Sequence, residues 1–218
     1  MIKTDNKDLD DLIINLLEID SLKRLTWAQY LNHSFFQDTN KIRLIYECEE
    51  DKKYNIFGKK FVENNKNNIE LIINGNKSEL IEKYKLNKGK NDIEIIIKNK
   101  IINMEYMFHN CNTLINIDKL KYLDVKEIND FSYMFSGCSS LLNLEPIQNW
   151  NVSNGNNFSY MFSKCSSLSD LKPLQNWNVS KGNNFKGMFS GCKLLSDLKP
   201  IQNWKASNDD LYIEFIEL

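Results

Sequence analysis

Four cysteines carry the most reactive side chains of this sequence, and they recur at a fixed interval: Cys111, Cys138, Cys165 and Cys192 are each 27 residues apart. Thiolates bind metals, exchange disulfides and attack carbonyls, so the series raises zinc, redox and nucleophilic chemistry. The spacing argues against all three. No CxxC pair occurs, the only histidines are His33 and His109, and five cysteines is an odd number for a disulfide framework. Cys48, the fifth, falls in an alternating segment and suggests no Cys/His pair. The expectation is free, buried thiols acting as small hydrophobes, with no metal and no cofactor. If stacked helices hold the four, their Cα atoms stand roughly 8 to 10 Å apart, beyond disulfide reach.

Each cysteine closes a repeated Met-Phe-x-x-Cys unit: Met107, Phe108 and Cys111; Met134, Phe135 and Cys138; Met161, Phe162 and Cys165; Met188, Phe189 and Cys192. Phe131, Met134, Phe135, Cys138 and Leu141 fall at i, i+3, i+4, i+7 and i+10, which predicts an amphipathic helix whose stripe packs as core. Asn157 and Asn184 stand where they can N-cap such helices. Leu141-x-x-Leu144-x-x-Ile147 then reads as a variant leucine-rich pattern, a short extended segment with Pro146, Pro173 and Pro200 limiting its ladder. Trp150, Trp177 and Trp204 recur next, either as an internal ladder or as an exposed stripe for stacking. Asn151-Val152-Ser153 and its repeat read as turn chemistry. Tyr212, Phe215 and Ile216 continue the period into an incomplete fifth unit.

The predicted fold is α+β: a short α/β leucine-rich-repeat solenoid of 27-residue units over residues 102–218, preceded by a small β-rich capping domain and two N-terminal helices. The β-rich domain, residues 39–101, is read from period-two runs at Ile42 to Cys48, Ile69 to Ile73 and Ile93 to Ile97, with a further strand over Tyr54 to Val62. Asn74-Gly75-Asn76 marks a turn, and Glu63 to Asn68 reads as a solvated loop. In residues 1–38, Leu9, Leu12, Ile13, Leu16 and Leu17 form one helical stripe, and Thr26 with Gln29 forms a capping box.

Charge narrows the partners. The chain carries 28 basic and 29 acidic side chains, a net charge of -1, which argues against nucleic acid and anionic membrane. No apolar leader opens the sequence and no run approaches the roughly 18 apolar residues of a membrane span, so a cytoplasmic protein is expected. The variable polar positions beside the expected strands, Glu145, Gln148, Lys172, Gln175, Lys199 and Gln202, are the candidate binding residues for a protein partner.

Two resemblances add to this reading. Phe158-Ser159-Tyr160-Met161-Phe162-Ser163-x-Cys165-Ser166-Ser167-Leu168, with Trp177-Asn178-Val179-Ser180 after it, resembles the BspA-like leucine-rich repeats; Gly155-Asn156-Asn157 and Gly182-Asn183-Asn184 replace that family's usual Val-Thr-Asp/Asn-Met run. The resemblance implies an adhesion or interaction role. Leu12-Ile13-x-x-Leu16-Leu17-x-x-Asp20-x-x-x-Arg24-Leu25-Thr26, then Tyr30-Leu31-x-His33-x-Phe35-Phe36, resembles the last two helices of a protein-kinase domain. The Gly-rich loop, strand lysine, HRD and DFG motifs are absent from this sequence. The expected function is a non-catalytic protein–protein interaction scaffold; the alternative is the C-terminal part of a serine/threonine kinase whose repeats recruit partners or substrates.

Overall fold

The computed structural model describes residues 41–101, 103–202 and 204, together with Ile14. The expected N-terminal helices, the kinase-like stretch over residues 8–36 and the fifth unit at Tyr212 to Ile216 fall outside the described residues.

Period-two alternation builds the first region. Strands β1 (Lys41–Cys48), β3 (Ile69–Ile73), β4 (Asn76–Glu79) and β6 (Gly89–Ile97) join β7 (Leu114–Asn116) in an antiparallel sheet of order β4-β3-β6-β1-β7. The register sets Ile42 opposite Ile95 and Leu44 opposite Ile93, with Leu71 and Ile73 opposite the same two residues from the other side. These six side chains are buried on one face. Each contributes roughly 1.5–3 kcal/mol over its exposed state. A one-residue slip would turn all of them to solvent, so the hydrophobic pattern fixes the pairing. Asn74 and Gly75 supply the left-handed turn between β3 and β4. Strands β2 (Lys52–Asn55) and β5 (Lys83–Leu86) pair separately.

Residues 59–65 correct the expectation of a strand running to Val62 and a solvated loop after it. They form α1 (Lys59–Asn65). Phe57 and Phe61, four apart, lie 6.0 Å between ring centroids, and Asn65 donates to the carbonyls of Phe61 and Asn103. Gly58 is required at the entry, because a Cβ there would lie 2.0 Å from the Tyr106 carbonyl oxygen.

The solenoid of leucine-rich repeats, with a helix and a strand in every unit, is overturned. The described residues form two antiparallel sheets with α1 as the one α-helix of residues 41–204. Among the described residues beyond 100 the elements are β7 and four 3-10 segments, Asp118–Tyr122, Glu145–Ile147, Lys172–Leu174 and Lys199–Ile201. The Met-Phe stripe fails as a helix for a backbone reason. Tyr106, Asn110, Tyr133, Tyr160 and Lys164 have φ between 55° and 60°, and Gly137, Gly187 and Gly191 complete the pattern with positive φ. Two left-handed residues per unit break any right-handed helix.

Alternate amides then go to different places. Phe131, Tyr133, Phe135 and Gly137 donate to the carbonyls of Asn157, Ser159, Met161 and Ser163 in the next unit, at 2.7–3.0 Å. Met134, Ser136 and Cys138 donate to Phe131, Tyr133 and Phe135, within their own unit. Every amide from 131 to 138 except Ser132 thus has a backbone partner, and Ser132 donates to the Asp130 side chain. Asn157 and Asn184 receive the amides of Ser159 and Lys186 in the same way, opening a series of turns instead of capping helices.

Backbone bonding sets the rise. Phe108, Phe135, Phe162 and Phe189 stack, as do Phe131, Phe158 and Phe185, with centroids 5.2–5.7 Å apart. This is close to strand spacing and well short of the separation of packed helices. The sheet and the stack share one core. β7 extends the sheet from inside the first unit, Gly58 N–H donates to the Met107 carbonyl at 3.0 Å, and Phe57 packs on Phe108.

Candidate functional site

The six candidate residues lie on the 3-10 segments, not beside strands. In each, an Asx side chain accepts the amide two residues on: Asn143 from Glu145 at 2.8 Å, Asp170 from Lys172 at 2.8 Å, Asp197 from Lys199 at 2.9 Å. Proline follows at once, its ring fixing φ near the value the turn needs. Gln148, Gln175 and Gln202 then close the turn through their amides to the carbonyls of Glu145, Lys172 and Lys199, each at 3.1 Å.

Residues three apart eclipse in a 3-10 turn, so Glu145 and Gln148 stand together, as do Lys172 and Gln175, and Lys199 and Gln202. All six are exposed, whereas Ile147, Leu174 and Ile201 between them are buried anchors. Neighbouring 3-10 segments pack on one another. The result is two exposed columns, repeated at the rise of the stack.

Asp118 and Lys121 extend these columns into the first unit and were not foreseen. Their segment has Lys119 in place of proline and Leu123 in place of tryptophan, which obscures the register; alignment on Met107 recovers it. Two apolar side chains near the column residues in sequence are exposed, Leu142 at 65% and Tyr122 at 41%.

The reactive groups lie inside the stack. Met107, Phe108, Cys111, Met134, Phe135, Cys138, Met161, Phe162, Cys165, Met188, Phe189 and Cys192 are all buried. Cys138, Cys165 and Cys192 donate to the carbonyls of Phe108, Phe135 and Phe162 at 3.1–3.2 Å. Burial pushes the Cys138 and Cys165 thiols well above the ordinary range and Cys192 up to about 12. All five cysteines are free. A thiolate is therefore strongly disfavoured at these positions. Among the described residues no group of three or more His, Cys, Asp or Glu is placed to hold a metal ion.

Of the two readings of the tryptophans, the internal one holds. Trp150, Trp177 and Trp204 are buried, and each indole N–H donates to a carbonyl of the preceding unit, on Leu120, Ile147 and Leu174, at 2.9–3.1 Å. A half-buried column of Tyr106, Tyr133 and Tyr160 stacks on another side, with centroids 4.6 and 4.9 Å apart and His109 edge-on to the first two. Where the sheet meets the stack, a polar groove of ≈ 680 Å³ lies between β2 and the turns at Asn110, Asn112, Gly137 and Ser139.

No helix among the described residues is long and apolar enough to cross a membrane. A family model described as "Mycoplasma protein of unknown function, DUF285" matches residues 81–215. No curated protein and no solved structure matches the chain.

Proposed function

Because this chain belongs to the DUF285 family of Mycoplasma proteins, whose function is unknown, we propose a role read from its surface: a non-catalytic protein–protein interaction scaffold that acts in the cytoplasm. The observation that carries the reading is the pair of exposed columns on the 3-10 segments, Glu145, Lys172 and Lys199 beside Gln148, Gln175 and Gln202. The hydrogen-bonded stack holds the backbone at these positions at regular spacing, so association orders side chains but not backbone, which lowers its cost. Their chemistry is that of an interface rim and hydrogen-bonding strip, with Leu142 and Tyr122 available as apolar contacts. The resemblance to BspA-like repeats supports an interaction role. Five reduced thiols suit a reducing compartment.

The test compares parallel captures with the wild-type chain and with a variant carrying alanine at all six positions. Circular dichroism and melting of the variant should match wild type, because the six side chains are exposed. A protein retained by the wild type and lost by the variant supports the face; retention by both rejects it.

A further inference from the structure

Charge along the stack is polarised. Residues 101–154 carry six acidic side chains and three lysines, a net of -3, whereas residues 155–202 carry six lysines and two aspartates, a net of +4. All six of those lysines, Lys164, Lys172, Lys181, Lys186, Lys193 and Lys199, are exposed. The ion pairs among the described residues lie between Arg43 and Glu127. The basic half of the stack is therefore without internal neutralisation there.

One column condenses this asymmetry. Down equivalent positions of successive units it reads Asp118, Glu145, Lys172, Lys199, two negative charges followed by two positive ones. The four open the four consecutive 3-10 segments, in neighbouring rungs, and all are exposed. None takes part in an ion pair among the described residues: the Asp118 and Glu145 carboxylates meet only the Asn116 and Asn143 amides. With rungs about 5 Å apart, Lys172 and Lys199 repel along the column, and so do Asp118 and Glu145.

A linear pattern of two negative then two positive charges is complementary to itself when reversed. Resting on the interaction role above, we propose that the partner of this face is a second copy of the same chain, docked antiparallel about a two-fold axis that crosses the column between Glu145 and Lys172. Asp118 of one copy then faces Lys199 of the other and Glu145 faces Lys172, so that four opposite-charge contacts form at once. An isologous contact requires such self-complementarity. A parallel arrangement would set every charge against its own kind. Proline follows three of the four column residues, at 146, 173 and 200, and offers no amide donor that would lose water on contact.

Sedimentation velocity on the full chain tests this, with two variants that reverse one half of the column each: Lys172→Glu with Lys199→Glu, and Asp118→Lys with Glu145→Lys. The expected result is a concentration-dependent dimer at low salt that dissociates near 1 M salt, where the screening length falls to about 3 Å. Each double variant alone should be monomeric and folded by circular dichroism, and an equimolar mixture should restore the dimer, since an all-acidic column then meets an all-basic one. A wild-type chain that stays monomeric at every concentration overturns the second copy as partner. Dissociation by the lysine reversals but not by the acidic ones overturns it too, because a two-fold contact needs both. Neither result touches the six-alanine capture, so failure of this pairing is distinguishable from failure of the interaction face.

Discussion

The sheet and the stack solve the same problem in opposite ways. In the sheet, alternate side chains face one core and ladder bonds run between antiparallel strands, pairing near neighbours such as Ile72 with Lys77 and distant ones such as Lys41 with Ile96. In the stack, alternate amides divide the labour: half close turns inside a unit and half reach into the next one. The sheet is specified by local alternation, the stack by repetition. A single unit of the stack leaves Phe131, Tyr133, Phe135 and Gly137 without acceptors, so its stability is a nearest-neighbour property.

Removing a shared ring should show this contrast most strongly. Phe162 packs between Phe135 and Phe189 and is fully buried, so Phe162→Ala is expected to cost about 3–5 kcal/mol. Thermal melting checks it; an unchanged midpoint would remove this column from the core.

Glycines separate the two regions next. Gly187 in the stack and Gly75 in the sheet hairpin both have positive φ, but a Cβ at Gly187 would lie 2.4 Å from the Tyr160 ring while one at Gly75 meets nothing within 4 Å. Gly75→Ala should cost about 1 kcal/mol in conformation alone. Gly187→Ala adds a steric overlap and should cost about 2–4 kcal/mol. Equal losses in chemical denaturation would mean that close approach in the stack is unimportant.

Trp177→Phe keeps most of the buried area but leaves the Ile147 carbonyl without its indole donor. That carbonyl still accepts the Trp150 amide at 3.1 Å, so a loss of about 0.5–1.5 kcal/mol is expected, again by denaturant titration. Trp177→Phe as stable as wild type would assign the tryptophan to packing only.

The smallest effect is pH-dependent. Burial, together with the nearby Lys164, lowers the pKa of His109 below its ordinary value. The folded state therefore favours the neutral ring: stability is complete above the unfolded pKa of about 6.5 and falls as pH drops through that value towards the lower, folded one. His109→Gln should flatten this part of the stability–pH curve, and an identical curve for the variant would place the acid sensitivity elsewhere.

What could be read from residues alone differed between the regions for the same physical reason. Ile42 to Cys48, Ile69 to Ile73 and Ile93 to Ile97 announce β1, β3 and part of β6, because the period of two is the strand's own. Strand β4, Asn76–Glu79, is polar throughout and carries no such mark. Helix α1 was hidden because its seven residues show two buried positions and depend on Gly58 approaching Tyr106. In the stack the 27-residue period was plain, and the six polar positions of the columns could be named from it. The local conformation was not. Phe131, Met134, Phe135 and Cys138 have helical spacing, yet tyrosine and lysine at Tyr133 and Lys164 give no compositional sign of φ > 0, and only Asn110, Gly137, Gly187 and Gly191 at equivalent positions hint at it.

That the Met-Phe units are joined by a ladder and are not helices is tested most directly by NMR detection of scalar couplings across hydrogen bonds. Couplings are predicted from the Phe135 amide to the Met161 carbonyl and from the Gly137 amide to the Ser163 carbonyl. Couplings from Phe135 and Gly137 to carbonyls four positions earlier, the α-helical pattern, would contradict it.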